Sequence, residues 1–168
     1  GYGPLMIAPT WSLAVEEQFY LVLPFLIRYC PPRLLPAVLL ALIAAAPLIR
    51  AMLQSMGYPH ATYLLMPARM DSLFLGVLIA WANIQPIALN RKYLASAAVA
   101  GGLGFLVMLF SNRDMVDWWM SVVGYSVIAV FFAACFTLMV TAKRPLDGWP
   151  VKALAPIGLG AYSIYLFH

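Results

Sequence analysis

Apolar runs of about twenty residues recur along the chain, separated by short stretches rich in proline and charge. A helix needs about 20 mostly apolar residues, at 1.5 Å rise each, to cross roughly 30 Å of hydrocarbon. Six runs meet or approach that length: about 11–27, 34–53, 64–81, 93–110, 119–142 and 153–168, the last truncated at His168. No period-two alternation is sustained enough for a β-barrel. The pattern predicts an all-α fold, a polytopic transmembrane helical bundle with about six spans.

Composition narrows the class further. Of 168 residues, 64% are apolar and 10% charged, whereas an ordinary soluble domain carries about 25% charged residues. That polar surface is too small to cover a globule of this size. It also excludes a disordered chain, a collagen and a disulfide scaffold. Cys30 sits at a helix end beside Pro31 and Pro32, Cys135 sits inside an apolar run, and the two show no metal-ligand spacing. The His, Cys, Asp and Glu residues form no dense cluster, so no metal is expected. The net charge of +4 comes from basic residues scattered singly or in pairs. That is not a nucleic-acid footprint, and the partner implied is the lipid bilayer. The start at Gly1 without a leader and the stop inside an apolar run predict a partial membrane domain over residues 1–168.

The basic residues set an orientation. The first, third and fifth junctions hold Arg28, Arg33, Arg91, Lys92, Lys143, Arg144 and Lys152, and the two alternate junctions hold only Arg113. By the positive-inside rule the three basic junctions are cytoplasmic. The 1–10 segment, the loop with His60 and the loop with Asp114 and Asp117 then face outward. Tyr63, Trp118 and Trp119 suit an aromatic belt at that interface. Ala100, Gly101, Gly102 and Gly104 suit close helix packing in the fourth span.

Ionisable groups inside spans are expensive and therefore informative. Glu16 and Glu17 lie roughly 8–9 Å into the first span, and Arg69 and Asp71 lie at similar depth in the third. Arg50 is near the outer end of the second, where it reads as a snorkelling interface residue. His168 ends the outward-running sixth span, and His60 reads as a solvated loop residue. These groups share one side of the bilayer, which predicts a polar cavity open to the external face. Adjacent helical positions differ by about 100°, so one of Glu16 and Glu17 faces the bundle, and periodicity does not choose. Arg69 and Asp71 are two residues apart and do not face each other, so each needs a partner on another helix. An Arg–Glu pair tying the first span to the third competes with a catalytic role for Arg69. Proline at 24, 47 and 67 predicts bends beside the polar groups. The Gly158-Leu159-Gly160 stretch lacks the context of a phosphate loop.

Three stretches carry a resemblance. Thr10-Trp11-Ser12-Leu13-Ala14-Val15-Glu16-Glu17-Gln18-Phe19-Tyr20-Leu21, followed by Pro24, is similar to the signature helix of the acyltransferase family 3 membrane proteins. Arg69-Met70-Asp71-Ser72-Leu73 with Gly76 resembles that family's Arg-x-Asp-x-Leu-x-x-Gly helix. Leu159-Gly160-Ala161-Tyr162-Ser163-Ile164-Tyr165-Leu166-Phe167-His168 resembles its late Ser-x-Tyr-Leu-x-His span. The three occur in the family's order and cover essentially the whole chain.

The resemblance implies a membrane O-acyltransferase that moves an acyl group, usually acetyl, from acyl-CoA (acetyl-CoA) to a hydroxyl of a cell-envelope carbohydrate or a lipid-linked sugar. It implies a multi-pass protein of the bacterial inner (cytoplasmic) membrane, of which these spans are a middle portion. The family's believed catalytic histidine lies on an N-terminal span, and no stretch here matches it. The fragment alone is then expected to be inactive. Among matched positions, Glu16, Arg69 and His168 are the expected catalytic groups, with Trp11, Glu17, Tyr20 and Asp71 expected to bind substrate. A carboxylate such as Glu16 can orient or deprotonate a partner, and Arg69 can stabilise charge at the reacting carbonyl. The alternative from the residues alone is a secondary transporter or flippase for a sugar-like solute, although neither an internal repeat nor paired broken helices are evident. A non-catalytic scaffold is the third possibility.

Overall fold

The computed structural model describes residues 10–85, 90–111, 114, 117–141 and 156, with the backbone alone at 10–12. The elements in order are α1 (Thr10–Tyr29), α2 (Leu35–Ser55), a single turn α3 (Ala61–Leu64), a 3₁₀ turn (Met66–Arg69), α4 (Met70–Ile84), α5 (Arg91–Phe110), a π turn (Met120–Gly124) and α6 (Tyr125–Val140). All elements among the described residues are helical, and Leu35–Ser55, Arg91–Phe110 and Met120–Val140 are each long and apolar enough to cross a membrane. The fold is a helical membrane bundle. The expected span 153–168, with Gly158–Gly160 and His168, lies outside the described residues, as do Arg113, Lys143, Arg144 and Lys152.

Local sequence explains the helix ends. Pro36 stands in the first turn of α2, where its missing N–H would have no partner anyway. The other end closes on Gly57, whose φ of 81° favours a residue without Cβ. The N–H of Tyr58 reaches the Leu53 carbonyl at 2.9 Å and that of Gly57 reaches Gln54 at 3.1 Å, the pairing of a Schellman cap. Asn90 caps α5 by accepting the Lys92 N–H at 3.0 Å.

The segment 64–81, expected as one span, is built in pieces. Leu65 is extended (φ −89°, ψ 134°), and the chain then makes a 3₁₀ turn containing Pro67 before α4 begins at Met70. With 15 residues, α4 is about 22 Å long, short of the hydrocarbon thickness. Pro67 therefore falls at a break, whereas Pro24 and Pro47 lie inside helices that run through without interruption.

Two packing units hold the bundle. In the first, Val15 and Phe19 of α1 meet Leu35 and Leu39 of α2, Met66 and Phe74. The Phe19 and Phe74 rings meet edge to face with centroids 5.4 Å apart. In the second, α5 lies directly on α6. A Cβ added at Gly101 would stand 2.9 Å from the Phe131 Cβ and 3.1 Å from its Cα, and one at Gly104 would stand 2.9 Å from Val127 Cγ1. The expected close packing is present at these glycines, but Ala100 is exposed. Helices α2 and α6 both pack on α4, and Leu, Phe and Val side chains of α1, α5 and α6 stand exposed on the outside of the described bundle.

Candidate functional site

The site begins with one side chain. Arg50 is completely buried, on an inward stripe of α2 with the buried Ala46 four residues before it and the half-buried Gln54 four residues after. Its Nη1 donates to the Ala68 carbonyl at 2.6 Å. Its Nη2 lies 2.7 Å from Asp71 Oδ2, 2.6 Å from Ser126 Oγ and 3.2 Å from the Val122 carbonyl. Nη2 has two protons for three acceptors, so at least one is shared. Its Nε is buried without a partner among the described residues.

Asp71 is used equally fully. Its Oδ1 accepts the Ser72 N–H at 2.9 Å, and its Oδ2 accepts both Arg50 and the Ser126 hydroxyl, the latter at 2.6 Å. The ion pair joins α2 to α4, and Ser126 joins both to α6. A buried pair of this kind does not simply add stability. Removing one partner strands the other charge, at a cost of about 3–5 kcal/mol. The snorkelling role expected for Arg50 is thereby overturned. A carboxylate at the start of α4 draws the guanidinium inward, where it meets acceptors from the 3₁₀ turn, α4, the π turn and α6.

The π turn contributes directly. A π turn widens the helix and redirects its carbonyls, and here Val122 within that turn is an acceptor for Arg50. A second polar tier lies beside it. Gln54 Nε2 donates to Ser121 Oγ at 2.9 Å. The buried Thr62 donates to the Pro59 carbonyl at 2.6 Å and lies 3.4 Å from Ser121 Oγ. The end of α2, the start of α4 and the start of the Met120–Val140 helix thus share one polar end.

Beside this network a cleft of about 400 Å³ runs between α4 and α6. Its polar end holds Arg50, Arg69, Asp71, Ser72 and Tyr125, and its other end is lined by Ile79, Ala133 and Phe136. Tyr125 ties the two arginines together, with the Cζ of Arg50 5.8 Å and that of Arg69 5.9 Å from its ring centroid, within cation–π range. A Cβ at Gly76 would meet nothing within 4 Å, so this glycine leaves the cleft open rather than allowing a close helix contact.

Of the residues singled out in the sequence, Arg69 and Asp71 come together here. Glu16, Glu17 and Tyr20 do not. The buried positions of α1 are Val15 and Phe19, and all three polar residues lie on exposed faces. Among the described residues neither glutamate forms an ion pair. The Trp11 side chain and His168 lie outside the described residues. No group of three metal-ligating side chains is gathered among the described residues. The residues missed were Arg50, Gln54, Thr62, Ser121, Tyr125 and Ser126. For Arg50 a signal existed: it is a cation at the junction side that the positive-inside rule keeps poor in basic residues. The hydroxyls carried none.

Comparisons with known proteins agree with this architecture. A family model described as an acyltransferase domain matches residues 2–168. The chain is 31% identical over 173 residues to the O-acetyltransferase OatA of Staphylococcus aureus strains NCTC 8325 / PS 47, COL and MRSA252, over 94% of this chain and 28% of each relative. It thus spans about 28% of the length of the curated relatives it matches. No solved structure matches it. With the Arg69–Gly76 motif lining a cleft in a helical membrane bundle and the family match running through nearly every residue, the chain belongs to the acyltransferase family 3 membrane proteins.

Proposed function

We propose that this chain forms part of a membrane O-acyltransferase, and that the cleft between α4 and α6 is where acyl transfer takes place. The observation that carries the reading is the placement of Arg69 and Asp71, both from the family motif, at the polar end of one cleft. The donor is acyl-CoA, in the simplest case acetyl-CoA. That the relatives are O-acetyltransferases by name supports an acetyl group and an oxygen acceptor. The acceptor is a hydroxyl of a cell-envelope carbohydrate or lipid-linked sugar, met on the outer side of the bacterial inner membrane.

The reaction is attack of the hydroxyl oxygen on the thioester carbonyl. The hydroxyl proton passes to a base, and the carbonyl oxygen gains negative charge. The C–S bond then breaks, and the departing sulfur takes up a proton. Arg69 supports the charged oxygen, because a fixed guanidinium in a low-dielectric cleft costs no reorganisation when charge develops. The Asp71 carboxylate, with both oxygens engaged, keeps the motif in place. Glu16 stands on an exposed face of α1 outside this cleft, and its part, to orient or deprotonate the reacting partner, rests on its motif position alone. By its motif position His168 serves the same chemistry, and Trp11, Glu17 and Tyr20 are the acceptor contacts that the α1 motif offers, the latter two from exposed positions outside the cleft.

The test uses the full-length protein in membranes, supplied with acetyl-CoA and envelope carbohydrate. Arg69→Ala is expected to lower turnover by about a hundredfold or more. Glu16→Ala is expected to lower it by about 10²–10⁴-fold if the carboxylate moves the proton. Activity close to that of the unaltered protein in both variants removes the roles given to these residues. Solute uptake without any acyl-donor requirement replaces the reading with transport.

A further inference from the structure

Arg69 stands where two helix types meet. It closes the 3₁₀ turn and immediately precedes α4, with φ −116° and ψ 9°. At such a junction one hydrogen-bond ladder ends before the next begins, so other contacts must set the backbone. Three do so. The Ala68 carbonyl accepts from Arg50 at 2.6 Å. The Arg69 carbonyl accepts from the Ser72 hydroxyl at 3.0 Å. The Asp71 carboxylate takes the Ser72 N–H with one oxygen and Arg50 and Ser126 with the other. Two of the three lead to Arg50. Arg50 is in turn held against α6 by Ser126 and against the π turn by the Val122 carbonyl.

We propose that Arg50 is a positioning residue for acyl transfer, with Ser126 as its second part. It fixes where Arg69 stands at the cleft by registering the 68–71 backbone against the start of α6. The proposal rests on the reading of the cleft as the transfer site. The geometry needs arginine. A guanidinium offers several donors in a rigid fork, so it can reach the Ala68 carbonyl and the Asp71 carboxylate at once. A lysine at 50 supplies a single ammonium, which can keep the ion pair with Asp71 but releases the carbonyl. Ser126 is the milder probe, because without its hydroxyl the direct Arg50–Asp71 contact survives.

The experiment uses the full-length protein in membranes with Ser126→Ala and Arg50→Lys. Ser126→Ala is expected to lower kcat about tenfold, with KM changed by less than about twofold and membrane abundance unchanged. Arg50→Lys is expected to lower kcat further, again without a matching rise in KM. A second arm needs no catalysis. Arg69→Cys is made with Cys30, Cys135 and any other cysteine of the full-length protein changed to Ser, and the rate of labelling at position 69 by a charged thiol reagent is followed. Adding Ser126→Ala or Arg50→Lys is expected to change that rate several-fold. An unchanged labelling rate in both overturns the proposal, as does unchanged turnover where the unaltered protein transfers acyl groups. If the unaltered protein transfers none while labelling still shifts, the positioning stands and the acyl-transfer reading falls.

Discussion

Arg50 and Asp71 are 21 residues apart in sequence, and their charged atoms are 2.7 Å apart across the α2–α4 interface. Both are sealed from solvent, with side-chain exposures of 0% and 6%, so each charge depends on the other. Arg50→Met is expected to destabilise the bundle by about 3–5 kcal/mol, because a buried carboxylate is left alone. Adding Asp71→Leu is expected to recover part of that loss, since an apolar pair of similar volume can replace a buried ion pair. Reversible unfolding in mixed detergent, read as a midpoint shift, compares the single and double variants. A double variant less stable than both singles would count against the pairing.

The contact of α5 with α6 makes a separate prediction. Backbone and Cβ atoms of Phe131 crowd the position where Gly101 would carry a side chain, and backbone gives way less easily than a side-chain tip. Gly101→Val is expected to cost about 1–3 kcal/mol or more through overpacking. Ala100→Val, on the neighbouring exposed position, is expected to stay within about 0.5 kcal/mol. Thermal aggregation of the two purified variants checks the difference, and equal behaviour would mean that the helices do not approach closely at Gly101.

Filling the cleft should separate function from stability. A side chain at Gly76 meets open space, so Gly76→Leu is expected to leave abundance and unfolding midpoint nearly unchanged. It would occupy the cleft between Ser72 and Ile79 and reduce acetyl transfer by the full-length protein by about tenfold or more. The measurement is acetyl incorporation per unit of protein. Unimpaired transfer would place the chemistry elsewhere.

Hydrophobic length alone pointed to the long apolar helices α2, α5 and Met120–Val140. The third span was not legible in this way. Its apolar run passes over a break set by the extended Leu65 and the 3₁₀ turn at Pro67, because hydropathy records what a segment dissolves in and not how its backbone runs. Among the glycines, those at 101 and 104 were legible as contacts because absence of a side chain is itself the signal. The site was half legible. Arg69 and Asp71 stood out as charges in an apolar span, and their motif placed them. Arg50 was visible as a charge, but its fate depended on a partner on another helix, and sequence spacing does not report which helices meet. Ser121, Ser126 and Thr62 are small residues that can satisfy themselves on their own helix, so nothing in their pattern distinguished them from packing hydroxyls. The choice between Glu16 and Glu17 went to neither, because Val15 and Phe19 take the buried stripe of α1.

The sealed guanidinium also bears on how the bundle is assembled. Arg50 lies five residues before the last residue of α2, about 7–8 Å along the axis. In the bundle this charge, which α2 alone would have to hold toward the interface, is taken up by Asp71 of α4 and Ser126 of α6. Docking of α4 and α6 onto α2 is therefore the same event as burial of its one charge, and α2 cannot leave the bundle without taking an unpaired guanidinium with it.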